Sequence, residues 1–273
     1  MPIQTKNTKN EVNGMGEYQD NFKRYEVKYL LSAEQYAKLK KRLEKIAAVD
    51  AYGETKILNI YYDTPSFSLI RTSLEKPVYK EKLRLRSYGT ASDTTNSFVE
   101  IKKKYDGIVY KRRINLPYKK AEAYLNKGLR VSGDEAGNEQ IVGEIDAFKD
   151  YYEGLAPKMM ISYDRIAMAG IHDPELRITF DRNICWRTED LDLRHGGYGR
   201  TLLEEGQVLM EVKILGAMSM ELSRILSELE IFPASFSKYG RGYVDMISMR
   251  RVGHMVAGAY AIHTGKGAYA YAG

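Results

Sequence analysis

The sequence predicts an α+β protein built around a closed antiparallel β-sheet that forms a tunnel, with helices on its outside. Many segments alternate between two kinds of residue with a period of two, which is typical of strands with two different faces. Other segments place apolar residues at helical spacing. The chain of 273 residues is 44% hydrophobic, which is enough for a sizeable core in one large domain or two small ones.

The first predicted helix covers 32–49. Ser32 is a suitable N-cap and Glu34 lies in the first turn. The apolar positions that follow at helical spacing are Tyr36, Leu39, Leu43 and Ile46. Similar spacing predicts helices at 118–127, 138–152, 218–230 and 239–250.

Eight segments have the period of a strand. They are 23–30, 55–63, 79–88, 97–104, 108–116, 159–168, 175–182 and 207–214. Short turns such as 105–107, which reads Tyr-Asp-Gly, favour antiparallel hairpins between neighbours. We therefore expect a large antiparallel sheet.

The two ends of the chain differ in composition from the centre. Residues 1–18 are polar and predict a flexible leader, and the Gly, Ala and Tyr residues of 253–273 predict a disordered tail. The tunnel domain is expected to occupy 19–252.

Charged residues recur on one face of five predicted strands. The alternating sets are Arg24, Glu26 and Lys28; Lys82, Arg84 and Arg86; Glu100, Lys102 and Lys104; Arg177, Thr179 and Asp181; and Glu211 and Lys213. For any single strand, a half-exposed sheet with its charged face in water is the common explanation. Five such strands favour a sheet that curls until the charged face lies inside.

A tunnel lined with more Lys and Arg than Asp and Glu would repel itself when empty, and a polyanion would relieve that repulsion. Phosphate chains fit best, because Arg binds phosphate oxygens with two donors and Lys supplies a point charge. The few inward carboxylates are candidates for holding Mg²⁺ or Mn²⁺ against the phosphates.

The remaining composition restricts the function further. The chain has 42 basic and 36 acidic residues, a net charge of +6 and a pI near 9.0, which suggests an acidic partner. Its single cysteine, Cys185, and its scattered histidines argue against disulfides and a zinc site. No signal peptide or apolar run of ~20 residues is present, so we expect a cytoplasmic protein without a transmembrane segment.

Several stretches resemble the triphosphate tunnel metalloenzymes (the CYTH-like superfamily), and among them the VTC domain, the polyphosphate polymerase domain of the vacuolar transporter chaperone. They are 24–29 (RYEVKY), 59–64 (NIYYDT), 82–86 (KLRLR), 100–102 (EIK), 110–113 (YKRR), 163–165 (YDR), 176–181 (LRITFD), 210–213 (MEVK) and 236–239 (FSKY). The resemblance covers about 22–243 and implies an eight-stranded tunnel that binds ATP and inorganic polyphosphate with Mn²⁺ or Mg²⁺.

The resemblance also implies roles for individual residues. The catalytic candidates are Arg84, Arg86, Lys111, Arg165 and Arg177. Lys28, Lys102, Lys238, Tyr163 and Ser237 are implied as phosphate-binding residues, to which the alternating pattern and the 110–113 stretch add Lys82, Lys104, Arg113 and Lys213. Glu211 is the principal metal candidate, assisted by Glu26, Glu100 and Asp181.

Three departures from the family pattern bear on the expected function. The superfamily's Glu-x-Glu-x-Lys opening reads Arg24-x-Glu26-x-Lys28 here, as in the VTC branch, which favours a polymerase over a tri- or polyphosphatase. Ser235 stands where the family has a lysine, and the regulatory domain and membrane helices of the eukaryotic arrangement are not in this sequence. A membrane-protein partner is therefore expected to provide any membrane attachment.

A polyanion-binding module without catalysis remains the alternative from another class. Lys102 to Lys104 and Lys111 to Arg113 would form a basic nucleic-acid patch if their strands were exposed. The 22 tyrosines fit strand propensity as well as base stacking, and no RNA-binding motif is present, so no specific nucleic acid is expected.

Overall fold

The computed structural model describes residues 24–106 and 108–250. The strands are β1 (Arg24–Leu31), β2 (Ala47–Asp63), β3 (Tyr79–Tyr88), β4 (Asn96–Tyr105), β5 (Ile108–Pro117), β6 (Ala156–Gly170), β7 (Arg177–Arg187), β8 (Arg200–Thr201) and β9 (Val208–Leu215). The α-helices are α1 (Ala33–Leu43), α2 (Ser68–Leu74), α3 (Tyr118–Asn126), α4 (Gly133–Ala136), α5 (Glu139–Tyr151), α6 (Met220–Glu228) and α7 (238–250). A 3₁₀ turn lies at Leu193–His195.

All strands belong to one antiparallel sheet. Its order is β1-β9-β7-β6-β2-β3-β4-β5, with β8 added beside β7. Consecutive strands β2, β3, β4 and β5 are neighbours, as hairpin connections require. This confirms the predicted α+β class with a large antiparallel sheet.

The sheet curls strongly, so that its two ends come close together. Glu26 on β1 and Lys102 on β4 lie 3.9 Å apart, although these strands are near opposite ends of the strand order. In the described part of the chain β1 and β5 are not paired with each other. The free edge of β1 instead meets the segment before α7, where Ala234 N donates to Lys28 O and Tyr29 bridges Pro233. Over the described residues, the sheet therefore has nine strands and is not closed by strand pairing, unlike the predicted closed eight-stranded tunnel, and side chains and that segment lie at the seam.

Two apolar cores lie on the outer face of the sheet. One packs β2 to β5 against α3 and α5, and the other packs β1, β7 and β9 against α1 and α6. A third core lies on the inner face, where α7 covers parts of β2, β6 and β7 through Tyr239 and Met246. Helices therefore cover the outside of the sheet, and α7 fills part of its inside. Among the described helices, none has the length and apolar character needed to cross a bilayer.

The first helix is shorter than predicted. It ends at Leu43, and residues 47–49 already belong to β2, where Ala47 and Val49 pair with Gly170 and Met168. The buried side chain of Ala47 fits a strand as well as a helix, so spacing alone did not separate the two. Helices α2 and α4 were not predicted because they have only seven and four residues, which is too short to show helical periodicity. The predicted leader at 1–18 and tail at 253–273 lie outside the described residues.

Candidate functional site

Strand register places the charged positions on one face of the sheet. Lys28 pairs with Glu211, Glu211 with Thr179, Arg84 with Glu100, and Lys102 with both Lys82 and Lys111. Residues directly opposite each other in neighbouring strands point to the same side. The apolar residues between them, such as Leu83 and Ile101, lie in an outer core. The charged face is therefore the inside of the curl.

Glu100 is the centre of the first cluster. Its side chain is almost completely buried, with Arg84 Nε 2.6 Å from Oε2, Lys111 Nζ 2.7 Å from Oε1 and Arg86 Nε 3.6 Å from Oε2. Burial alone would raise the pKa of Glu100, but the three cations outweigh it and lower that pKa to about 2. Glu100 is therefore ionised and fixes three basic side chains along one wall.

Lys238 is the centre of the second cluster. Its ammonium lies 2.5 Å from Asp181 Oδ2 and 2.8 Å from Glu211 Oε1. Arg165 donates two hydrogen bonds to Asp181, of 2.6 and 2.7 Å, and approaches Glu211 Oε2 at 3.6 Å. Burial would lower the pKa of Lys238, but the two carboxylates raise it, and the same pairing holds the pKa of Glu211 well below its ordinary value.

Lys28 connects the second cluster to the seam of the tunnel. Its Nζ lies 3.4 Å from Glu211 and 3.4 Å from Glu26, and it donates to Phe236 O. Glu26 in turn faces Lys102 across the seam at 3.9 Å. Burial would raise the pKa of Glu26, but Lys102 and Lys28 lower it. An alternating series of basic and acidic groups thus crosses from β9 to β4.

Lys82 differs from the cations described above because it has no carboxylate partner in the described structure. Its Nζ donates a 3.3 Å hydrogen bond to Ser237 Oγ, just before α7. Burial, partly opposed by Tyr61 and reinforced by Lys102 and Lys80, lowers the pKa of Lys82 to about 8. This amine is suited to an anion that arrives from solution.

Four of the predicted basic residues lie outside the two clusters. Arg113 sits over the Phe98 ring, and Arg177 donates to the Pro174 and Leu176 carbonyls. Lys213 is exposed and pairs with Arg177 in the register, and Lys104 is half-buried near the end of β4. They share the inner face but do not enter either cluster. Their roles in phosphate binding and catalysis remain predictions.

Three polar residues without a predicted role also line the site. Asn59 accepts from Arg86 Nε at 2.8 Å, and Tyr61 accepts from Arg84 at 3.3 Å. Asp63 anchors α7, as described below. All three come from the 59–64 stretch. They alternate with period two on β2, which neighbours the strand of Arg84, and this alternation could have indicated that they face the site. Tyr163, which was predicted, accepts from Arg86 at 3.4 Å and lies under Arg165 and Lys238.

The resemblance implies a bound divalent ion, so we asked which side chains could act as its ligands. Among the described residues, no three His, Cys, Asp or Glu side chains converge in a metal-binding group. Glu211 and Asp181 nevertheless flank the same ammonium. Mg²⁺ commonly takes one or two carboxylates and completes its shell with substrate phosphates and water. The residues fit an ion held in that way by Glu211 and Asp181. Glu100 lies in the other cluster and shares none of its three cations with Glu211 or Asp181.

Comparison with protein-family models shows to which family this chain belongs. The family model described as the VTC domain matches residues 23–247. The chain belongs to the VTC domain family. Vacuolar transporter chaperone complex subunit 4 of Schizosaccharomyces pombe is 27% identical over an alignment covering 68% of this chain and 29% of that protein. This VTC domain chain therefore spans less than a third of that relative's length.

Solved structures with low sequence identity are also similar to this VTC domain. A candidate adenylate cyclase from Bacillus halodurans is 17% identical with a TM-score of 0.49, covering 79% of this chain and 94% of that one. A candidate adenylyl cyclase from Hippeastrum, described as having a dominant triphosphatase activity, is 15% identical with a TM-score of 0.47, covering 78% of this chain and 92% of that one. Both TM-scores are below 0.5, and the family assignment comes from the sequence match.

Proposed function

We propose that this VTC domain is a metal-dependent polyphosphate polymerase that transfers the γ-phosphoryl group of ATP to the end of an inorganic polyphosphate chain. One observation carries the proposal, namely the excess of basic over acidic groups in the curl. The basic groups are Lys28, Lys82, Arg84, Arg86, Lys102, Lys111, Arg165 and Lys238, and the acidic groups are Glu26, Glu100, Asp181 and Glu211. A phosphate chain would supply the missing negative charge.

The chemistry requires positioning more than a side-chain nucleophile. A terminal oxygen of the polyphosphate forms a bond to the γ-phosphorus, while the bond from that phosphorus to the β–γ bridging oxygen breaks and its electron pair leaves with ADP. Arg84, Arg86 and Lys111 are held by Glu100 before substrate arrives, so little reorganisation is needed when they neutralise the transferred group. They are our candidates for the transfer step.

The second cluster has a different part in the proposal. Lys28, Arg165 and Lys238 would bind the neighbouring phosphates, and Ser237 and Tyr163 would add hydroxyl contacts. Glu211 and Asp181 would hold Mn²⁺ or Mg²⁺, which when bound polarises phosphoryl oxygens and offsets their charge. Because Lys238 occupies both carboxylates in the described structure, its ammonium would shift toward phosphate as the site fills.

The curated relative supports polyphosphate chemistry by its family only, because the match covers 29% of that protein. The opening Arg24-x-Glu26-x-Lys28 supports polymerisation over hydrolysis by its resemblance to the VTC branch. A cytoplasmic location and a membrane-protein partner remain predictions. Water is the competing acceptor, so a tri- or polyphosphatase is the alternative enzyme, and a polyanion-binding module is the alternative without catalysis.

The test is to incubate the protein with ATP, Mn²⁺ and pyrophosphate primer and to separate the products on a gel. We expect long chains. Orthophosphate without chains would replace the polymerase with a phosphatase, and tight polyphosphate binding without turnover would leave a binding module. Lys102→Ala should impair chain growth, whereas Lys103→Ala should not, because Lys103 points outward and lies 3.9 Å from Glu144.

A further inference from the structure

The end of the β4–β5 hairpin, together with the start of β3, exposes an unusual number of large apolar side chains. We call residues 78–80, 103–106 and 108–110 the hairpin tip. Val78 is 64% exposed, Tyr105 57% and Tyr110 49%, and Tyr79, Ile108 and Val109 are also exposed. Tyr79 pairs with Tyr105, Tyr105 pairs with Ile108, and Asp106 N donates to Val78 O. These side chains therefore form one patch.

The hairpin tip is apolar on both of its sides. Ile108, Val109 and Tyr110 are consecutive in β5, so they alternate between the two faces, yet all three are exposed. Monomeric soluble proteins rarely leave a contiguous apolar patch of this kind without a partner. A flat protein surface would cover only one side of such a ribbon. A medium that surrounds the tip would cover both.

Three lysines lie in or next to the hairpin tip, two of them on the same face as Val109 and opposite the Tyr79 and Tyr105 rings. Lys80 faces Lys104 in the register, and Lys76 precedes β3. Within the described ranges these lysines form no ion pair, although Glu75 and Asp106 are close in sequence. Burial lowers the pKa of Lys80, and repulsion from Lys104, its partner in the register, and from Lys76 lowers it further. Such a group is complementary to several anionic groups presented side by side.

We propose that the hairpin tip docks on a lipid bilayer that contains anionic lipids. Tyr79, Tyr105, Tyr110, Ile108, Val109 and Val78 enter the interfacial region, where tyrosine rings are favoured. Lys76, Lys80 and Lys104 contact the phosphate headgroups. Free phosphate would satisfy the lysines but leave the apolar side chains in water, so the combination selects a lipid surface. The docking is independent of the proposed reaction and needs no spanning helix.

The test is co-sedimentation of the whole chain with vesicles of phosphatidylcholine alone and of phosphatidylcholine mixed with phosphatidylglycerol, at low salt. We expect binding to the mixed vesicles only. The variant Lys76→Gln/Lys80→Gln should weaken it on the order of thirtyfold, from a typical contribution per lysine near an anionic surface. The variant Ile108→Ser/Val109→Ser should also lose binding.

Matched controls separate this proposal from general effects. Tyr52→Ser/Met220→Ser removes two apolar side chains that are more exposed, at 84% and 79%, but lie outside the hairpin tip, and it should bind like the wild type. Circular dichroism checks that each variant is folded. Equal binding by the wild type and both hairpin-tip variants would overturn the proposal. So would loss of binding in Arg84→Ala alone, since headgroups would then be entering the tunnel.

Discussion

The hydroxyl of Tyr239 donates a 2.9 Å hydrogen bond to Oδ2 of Asp63, a carboxylate with no exposed surface. Asp63 also accepts from the backbone N–H groups of Leu69 and Ile70 at the start of α2. The Tyr239 ring stacks on Tyr61 with 4.6 Å between ring centroids. The first turn of α7, which carries Lys238, is therefore fixed to β2 and α2 at once.

Tyr239→Phe keeps the stacked ring but removes the donor to Asp63. We expect the free energy of unfolding to fall by about 1.5–3 kcal/mol, since a hydrogen bond to a buried charged group is lost. Chemical denaturation measures this change. Tyr25→Phe, which alters an exposed tyrosine, is the control. An unfolding midpoint equal to that of the wild type would contradict the anchoring role of Asp63.

Glu100→Gln removes the negative charge that Arg84, Arg86 and Lys111 share. Because it leaves these cations without their common partner, we expect a loss of stability of roughly 3–5 kcal/mol. Tripolyphosphate should restore part of it by supplying the missing charge. Thermal melting with and without tripolyphosphate measures both effects. A ligand-induced rise in Tm that is smaller in Glu100→Gln than in the wild type would argue against phosphate binding at this wall.

The pH dependence of binding should reflect Lys82. Its pKa is about 8, so the ammonium is lost as pH rises through that value, and affinity for tripolyphosphate should fall over the same range. Burial would raise the pKa of Tyr61, but Arg84 and Lys82 lower it to about 8, so its ionisation adds to the loss. Calorimetric titration on the two sides of this pKa measures the effect.

Two variants separate these contributions. Lys82→Arg keeps its charge at any accessible pH, since a guanidinium has a pKa of about 12.5 or more, and should bind more tightly than the wild type on the alkaline side. Tyr61→Phe should also flatten the profile. An alkaline loss of affinity that is identical in all three proteins would assign it to the ligand rather than to the tunnel.

Glu211→Gln tests the proposed ion. We expect the Mn²⁺ concentration for half-maximal turnover to rise on the order of tenfold or more, as is common when a carboxylate ligand or its support is removed. Glu221→Gln, in the exposed first turn of α6, should leave it unchanged. Metal removal with a chelator should stop turnover in the wild type. An unaltered Mn²⁺ dependence in Glu211→Gln would remove Glu211 from the proposed site.

Most of the fold could be predicted because period two and helical spacing are local properties. The inward positions of Lys28, Arg84 and Glu211 follow from alternation once the sheet is known to curl. The family resemblance added Arg165 and Lys238, which alternation does not single out. Pairing partners could not be predicted, because Lys238 reaches Asp181 and Glu211 only when α7 packs inside the sheet.

The roles of Asp63 and Tyr61 were not predicted, because alternation on β2 places a side chain on a face but does not show which partner it meets. Ser235, which stands where the family has a lysine, lies exposed in the segment before α7. Lys82, in contrast, faces Ser237 just before that helix. The departure at Ser235 is thus outside the two clusters.

The most direct test of the central proposal is the stoichiometry of ADP formed to phosphate incorporated into chains. It is measured with ATP labelled at the γ-phosphate, Mn²⁺ and a pyrophosphate primer. Transfer within the tunnel predicts one ADP for each labelled phosphate added to a chain, and loss of both in Arg84→Ala. ADP accompanied by an equal amount of labelled orthophosphate and no labelled chain would contradict polymerisation.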